Sequence, residues 1–218
     1  MSSKNDDSIE ADYWNNIYQD KKTEEVSWYQ TYPETSVNLV KECNMPLSAN
    51  IINIGGGDSF FVDALLDNGY RNIYVLDIAA SAIERAKLRL GEKASFVHWI
   101  ISDVKEFKPD VQFDFWHDRA AFHFLTGLEK IEQYVSIASN AIRQNGYLTI
   151  GTFSETGPQK CSGLHIKQYS EGLMSTTFSN GFNKLRCFTE DHITSFNTAQ
   201  NFFILYISKE LNCKVAVL

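Results

Sequence analysis

The sequence predicts a doubly wound α/β domain, and three observations carry that prediction. Residues 49–60 read ANIINIGGGDSF: a β-branched run, three glycines, then the polar start of an apolar helix. Asp77 closes a second apolar run, Ile73 to Leu76, 20 residues beyond Gly57. The rest of the chain keeps alternating strand-like and helix-like segments, as parallel strands joined by helical crossovers require.

Ile51, Ile52, Asn53 and Ile54 suit a strand buried on both faces of a parallel sheet. Gly55, Gly56 and Gly57 follow, where a side chain would obstruct anything approaching the backbone. Asp58 and Ser59 are good N-cap residues ahead of FFVDALL. A strand, a glycine turn and a helix N-terminus present N–H groups and partial positive charge to a polar or anionic ligand group. A carboxylate at Asp77 can accept from both hydroxyls of a ribose. These residues are expected to bind a nucleoside-bearing cofactor. A dinucleotide fingerprint would need a third glycine where Phe60 stands.

The stretch resembles instead the class I S-adenosylmethionine-dependent methyltransferases, whose first motif is an apolar strand, an acid, then G-x-G-x-G. Asn53 replaces the acid and Ser59 the last glycine. The resemblance implies S-adenosylmethionine as cofactor. Ala79, Ala82, Ile83, Ala86 and Leu90 give one apolar face to a helix that stops at Gly91. Ser95 to Ile101 reads as the third strand. The acid just after it, Asp103, would hold the adenine amino group by the resemblance, with Ile78 and Val104 sandwiching the ring. Its structural alternative is the N-cap of a short helix.

Phe113 to Trp116 reads as the fourth strand, followed by the polar cluster His117-Asp118-Arg119 and by His123. Thr126 to Glu129 has the form of a capping box, opening a helix whose Ile131, Val135, Ala138 and Ile142 face the sheet. In open α/β sheets ligands sit beyond the strand C-termini at the switch point, here between the first and fourth strands. His117 is therefore expected to line the cofactor pocket, with His117, Asp118 and His123 as catalytic candidates and Arg119 on the acceptor side. WHDRAAFHFL and SWYQTYPETS resemble a bacterial branch of the class, related more distantly to eukaryotic protein-lysine methyltransferases. That resemblance covers most of the chain.

Tyr147 to Thr152 reads as the fifth strand after Asn145-Gly146. The loop ETGPQKCSGLHIKQY is longer than an ordinary connection, hence functional or disordered. Its Cys161 and Tyr169, with Tyr29 from the N-terminal segment, are substrate-side candidates, Cys161 with an incidental placement as the alternative. A short helix over Ser170 to Phe178 and strands over Phe182–Thr189 and Phe202–Ser208 complete the chain. The resemblance makes those strands an antiparallel hairpin, giving a seven-stranded Rossmann-like sheet of order 3-2-1-4-5-7-6 with strand 7 antiparallel.

Ahead of this core, residues 1–7 are expected to be a disordered tail. Ile9, Tyr13, Trp14 and Ile17 mark an amphipathic helix from Ser8 to Gln19. Thr31 to Glu34 suggests a capping box opening a helix through Val40. Trp14, Trp28 and Tyr29 either cover the sheet edge or roof the cofactor, since aromatic faces attract a sulfonium that has no donors of its own. Methyltransferases of this class often close a helical N-terminal segment over the methionine half, which implies a lid. The whole of 1–218 reads as a single domain.

A net charge of −7, with no basic run longer than Lys21-Lys22, speaks against nucleic acid as a partner. A small molecule or a protein is expected, for a monomer or weak homodimer. The four cysteines have no C-x-x-C or metal-ligand spacing, so no metal is expected and the thiols read as reduced. With no leader segment and no run near ~18 apolar residues, the expectation is a cytoplasmic protein without a membrane span.

Methyl transfer asks mostly for proximity, and for a base only when the acceptor is protonated. The reading is transfer to a small-molecule thiol, amine or hydroxyl, with protein-lysine methylation as the alternative. A nicotinamide-dependent reductase would carry Tyr-x-x-x-Lys after the fourth strand, whereas the sole pair, Tyr18 and Lys22, precedes the first. A non-catalytic cofactor-binding module is the remaining alternative.

Overall fold

Every residue of the run Ile51–Ile54 is buried, as a central parallel strand requires, and this strand (β1) organises the sheet. The computed structural model describes residues 3–209. β1 lies between β2 (Ile73–Asp77) and β4 (Phe113–Arg119), with Asn53 opposite Val75 on one side and His117 on the other. β3 (Val97–Ile101) extends the sheet beyond β2, and β5 (Ile142–Phe153) extends it beyond β4. A small hairpin, β6 (Lys160–Cys161) and β7 (Leu164–His165), stands apart from the sheet. β8 (Phe182–Ile193) and β9 (Ala199–Lys209) close the other edge, β9 pairing antiparallel with both β5 and β8. The order β3-β2-β1-β4-β5-β9-β8 is the expected Rossmann-like topology once the small hairpin is set aside.

Side chains alternate across the sheet, so each strand feeds two cores. Ile52, Ile54, Trp116 and Leu148 pack on one face with Ile131, Tyr134 and Ala138 of α5 (Leu128–Ala141) and Met174 of α6 (Glu171–Thr177). Ile51, Val75, Phe115 and Phe153 pack on the other, under α2 (Glu34–Glu42) and α3 (Phe61–Asp67). α4 (Ala80–Leu90) follows β2 and turns at Gly91, whose φ of 56° suits glycine. α1 (Ser3–Asp20) lies over α4, where Asn15 Oδ1 accepts from the Ser81 backbone N–H at 3.0 Å.

Several boundaries differ from the sequence expectation. α1 opens at Ser3, so residues 3–7 continue the helix instead of forming a loose tail. Residues 1 and 2 of that tail, and Cys213, lie outside the described residues. Neither capping box forms: α2 and α5 start after Pro33 and Gly127, with no side-chain cap. Asp58 caps nothing either, because its carboxylate turns to Arg85, while Ser59 Oγ accepts from the Phe61 N–H at 3.2 Å. Ile142 opens β5 instead of ending α5, and the pairing with β4 skips from Ile142 to Tyr147 around Asn145, whose φ is 62°. The long loop is ordered into the β6–β7 hairpin, and the Tyr13 hydroxyl donates to its Ser162 carbonyl. β4 runs to Arg119 instead of ending at Trp116, which decides where its polar residues point.

Among the described residues, no helix is long and apolar enough to cross a membrane, and no group of three metal-ligating side chains assembles.

Candidate active site

The glycine turn leaves β1 with Gly55 at φ 58° and Gly57 at φ 45°, both in the region that side chains disfavour. Close approach constrains the turn further. A Cβ on Gly55 would lie 2.5 Å from the Ala121 methyl, and one on Gly57 would lie 2.7 Å from the Tyr18 hydroxyl. Two arginines of α4 clamp the turn from outside. Arg85 pairs with Asp58 at 2.9 Å, and Arg89 donates to the Asp58 carbonyl at 2.6 Å and pairs with Asp63 at 2.7 Å. The same Arg85 donates to the carbonyls of Tyr18 and Lys21, each at 2.9 Å, tying the end of α1 to the turn.

A cleft opens between this turn, the C-terminal ends of β1, β2 and β4, and the N-terminal segment. Its first compartment is lined by Asp77, Ile78, Ser102, Asp103 and Val104, with Phe124 and Leu125 opposite. Glu10, Trp14 and Tyr18, spaced four apart on one face of α1, close it together with Trp28 and Cys161. The second compartment is lined by Tyr29, Gln30, Ser36, Asn53, Gly56, Phe60, Phe61 and His117. Tyr18, Trp28, Gly55 and Arg119 line both, so the two meet over the glycine turn. Trp14 packs edge-on against Trp28 at 6.0 Å and Phe124 at 5.0 Å, which makes the roof aromatic.

Asp77 is 6% exposed, and its Oδ1 accepts from the Ala79 N–H at 2.8 Å. Burial raises its carboxyl to about 6, against the lowering effect of the Ala79, Gly57 and Ile78 N–H groups. It is therefore an anion at neutral pH. Asp103 lines the cleft and also caps its turn, accepting from the Lys105 N–H at 2.8 Å and pairing with Lys105 Nζ at 3.0 Å.

His117 bridges three elements. Its Nδ1 lies 2.8 Å from Asn53 Oδ1 and its Nε2 lies 2.8 Å from Ser36 Oγ, with the Phe61 ring centroid at 4.2 Å. A neutral ring protonated on Nδ1 satisfies both partners. Burial lowers its pKa to about 3, with the Arg119 charge adding to the effect. Asn53 thus does at this position what a charged acid would do at greater desolvation cost: it accepts from His117 without burying an anion.

Two of the catalytic candidates do not face the cleft. Because β4 extends through Arg119, residues 117 and 119 share one face and Asp118 points to the other. There Asp118 accepts from the N–H groups of Ala121 at 3.1 Å and Phe122 at 3.0 Å, and from the Tyr134 hydroxyl at 2.8 Å. His123 is fully buried between Phe124 and Phe153, and neither ring nitrogen has a hydrogen-bond partner. Tyr169, expected near the substrate, packs against Phe122 at 5.4 Å in the α5-side core. All three fill the interior behind the cleft floor. By contrast Trp14, Trp28, Tyr29, Gly55, Gly56, Ile78, Val104, Arg119 and Cys161 do line the cleft, and Gly57 supports it beneath Tyr18. Tyr18, Glu10 and Phe124 were not anticipated. Tyr18 was accessible to the helical period that found Trp14, being one turn further on.

His123 yields a pH prediction. Its pKa is lowered to about 3 by burial, with the Arg119 charge adding to the effect. The unfolded chain takes up this proton near ~6.5, so the buried neutral ring is fully tolerated above that pH and costs stability as pH falls toward 3. Replacing it as His123→Leu should improve stability at pH 5, relative to its effect at pH 7.5, by about 2 kcal/mol. Urea unfolding of both proteins at the two pH values measures it, and a pH-independent difference contradicts it.

Residues 52–148 match a family described as "Methyltransferase domain". That match takes in a little under half of the chain. The span includes the glycine turn, Asp77, Asp103 and the whole of β4. The mouse "eEF1A lysine and N-terminal methyltransferase" is 30% identical over 104 residues, 47% of this chain and 15% of the relative. The chain thus spans a small fraction of that relative's length. Magnesium protoporphyrin IX methyltransferase from Synechocystis PCC 6803, solved with bound S-adenosylmethionine, superposes with a TM-score of 0.68 at 15% identity, over 96% of this chain and 100% of that one. N-methyltransferase NodS from Bradyrhizobium japonicum, solved with S-adenosylhomocysteine, gives 0.66 at 15% identity over 89% and 97%. The fold is that of the S-adenosylmethionine-dependent methyltransferases.

Proposed function

We propose that the chain transfers a methyl group from S-adenosylmethionine to a small-molecule acceptor. The observation that carries this reading is the continuous two-compartment cleft, with Asp77 and Asp103 at one end and the glycine turn at its junction. The residues present fit the cofactor. Asp77 offers a carboxylate to a ribose diol, Ile78 and Val104 offer apolar surface to a purine, and the Gly55–Gly57 turn, where a Cβ would strike Ala121, Asn53 or Tyr18, brings bare backbone to the cleft. Trp14 and Trp28 supply neutral aromatic walls that suit a sulfonium.

When bound, S-adenosylmethionine would supply a sulfonium-bound methyl carbon open to an acceptor lone pair, with the thioether as leaving group taking the carbon–sulfur electron pair. The chain's part is to bind and orient. His117 is held on both ring nitrogens and is not basic, so its role in this reading is to fix the wall beside the glycine turn. With Asp118 and His123 outside the cleft, proximity carries the rate, and the acceptor's proton leaves to solvent.

Calorimetry should show binding of S-adenosylmethionine and S-adenosylhomocysteine but not NAD. Binding of NAD alone overturns the reading, and cofactor binding without methyl release from any acceptor turns it into a binding module. A methyl-release screen over thiols, amines, alcohols and peptides then separates small-molecule from protein-lysine acceptors, the second being favoured by the likeness to mouse and bovine proteins named as lysine methyltransferases. The three described cysteines, all free, support a reducing, cytoplasmic setting. The acidic chain supports a monomer or weak homodimer without nucleic acid.

A further inference from the structure

The cleft holds one side-chain cation, and among the described residues no carboxylate makes an ion pair with it, Glu190 bearing on its charge only from farther away. Arg119 ends β4 on the same face as His117 and reaches both compartments. Its Nε and Nη2 are sealed from solvent and have no hydrogen-bond partner. Its guanidinium lies 4.3 Å from the Phe202 ring, a weak substitute for an anion. The nearby acids make their direct contacts elsewhere, and Glu190 acts on Arg119 only through its charge. Glu190 accepts from Thr35 Oγ1 at 2.5 Å, Asp58 is paired with Arg85, and Asp103 is paired with Lys105. Removing a guanidinium from water without an anion is unfavourable, so an arginine left this way inside a binding cleft marks where an anionic ligand belongs.

The sheet says which ligand. The residues suited to the cofactor sit on β1, β2 and β3 or follow them, on one side of the switch point. Arg119 leans the other way, against Phe202 of β9 and Gly151 of β5, where a Cβ on the glycine would lie 3.4 Å from Arg119 Cγ. Beside it the second compartment is walled by Trp28, Tyr29, Phe60 and Phe61, surfaces that suit a flat apolar body. A cationic cofactor and a cationic arginine in one cleft also favour an acceptor that carries negative charge.

We propose that Arg119 recognises a carboxylate on the methyl acceptor, and that the acceptor is a small aromatic acid offering a separate nitrogen, oxygen or sulfur atom to the methyl group. The inference rests on the methyltransferase reading above. In the step itself the acceptor lone pair bonds the methyl carbon, the carbon–sulfur bond breaks toward sulfur, and the acceptor proton goes to water. The carboxylate is a handle and is not consumed.

The test uses the full chain saturated with S-adenosylhomocysteine. Benzoate, phenylacetate and 3-phenylpropionate are titrated against the corresponding amides by calorimetry and saturation-transfer NMR. At least one acid should bind tenfold or more tightly than its amide, and Arg119→Gln should abolish that preference while changing S-adenosylhomocysteine affinity less than threefold. Arg119→Lys, which keeps the charge but not the fork, should restore part of it. Comparing each acid with its amide on the wild-type chain needs no variant, so a poorly folding Arg119→Gln does not spoil the result. If no acid is preferred over its amide, the inference is wrong. It is also wrong if Arg119→Gln weakens S-adenosylmethionine but not its decarboxylated analogue, which would assign the arginine to the cofactor's own carboxylate. Failure of the wild-type chain to bind S-adenosylhomocysteine at all would instead remove the underlying methyltransferase reading.

Discussion

Asp77→Ala should weaken S-adenosylhomocysteine binding by roughly 2 to 4 kcal/mol, the range for charge-assisted hydrogen bonds plus the partners left unpaired. Asp77 closes β2 inside the first compartment and stays anionic at neutral pH despite its burial. Its Oδ1 already accepts from the Ala79 N–H, so part of the loss would be a disturbed start to α4. Asp77→Asn separates the two effects, since it keeps an acceptor for that N–H while removing the charge. A pH dependence follows from the raised carboxyl. If the ionised form holds the ribose, affinity should climb as pH rises through about 6 and then level off. Calorimetry on wild type and both variants decides the matter. Affinity that survives Asp77→Ala intact would remove the ribose assignment.

The parts of the fold that could be read from sequence are those fixed by local pattern. β1 matches the β-branched run residue for residue, and β2 and Gly91 fall where the apolar periods place them. Strand order came from resemblance and agrees with the sheet. What escaped was set by partners distant in sequence. His117, Asp118 and Arg119 look like a polar loop, yet β4 continues through them because each neighbouring strand supplies pairing: Asn53 opposite His117, Ile54 opposite Asp118, Gly151 opposite Arg119. The strand's two-residue period, applied one step further, would have sent Asp118 away from the cleft. The two capping boxes fail for a related reason: a side-chain cap is worth only about 1 kcal/mol, which tertiary packing readily outweighs. The loop at 155–169 gave no signal beyond its length, although Gly163, at φ 80°, turns the hairpin that carries Cys161 to the cleft.

The largest effect on stability is expected at Asp118. Its carboxylate is 1% exposed and accepts from two backbone N–H groups of the turn after β4 and from the Tyr134 hydroxyl, which in turn accepts from Trp116 Nε1 at 2.9 Å. This network joins the strand, the turn carrying Ala121 beneath Gly55, and α5. Asp118→Ala would leave those donors buried without an acceptor and open a small void, costing about 3 to 4 kcal/mol. For a chain of this size that corresponds to a fall in melting temperature of roughly 10 °C. Asp118→Asn keeps an acceptor for the turn but confronts the Tyr134 hydroxyl with a second donor, so its cost should be about 1 to 2 kcal/mol. Cofactor affinity and methyl transfer should fall together with stability in both variants, because the turn beneath the glycine cradle loosens with them. Melting temperature, S-adenosylhomocysteine affinity and turnover measured on the same preparations provide the check. A variant that melts like wild type and binds cofactor normally, yet transfers no methyl group, would move Asp118 back into the chemistry and show that the carboxylate turns toward the cleft when ligands are bound.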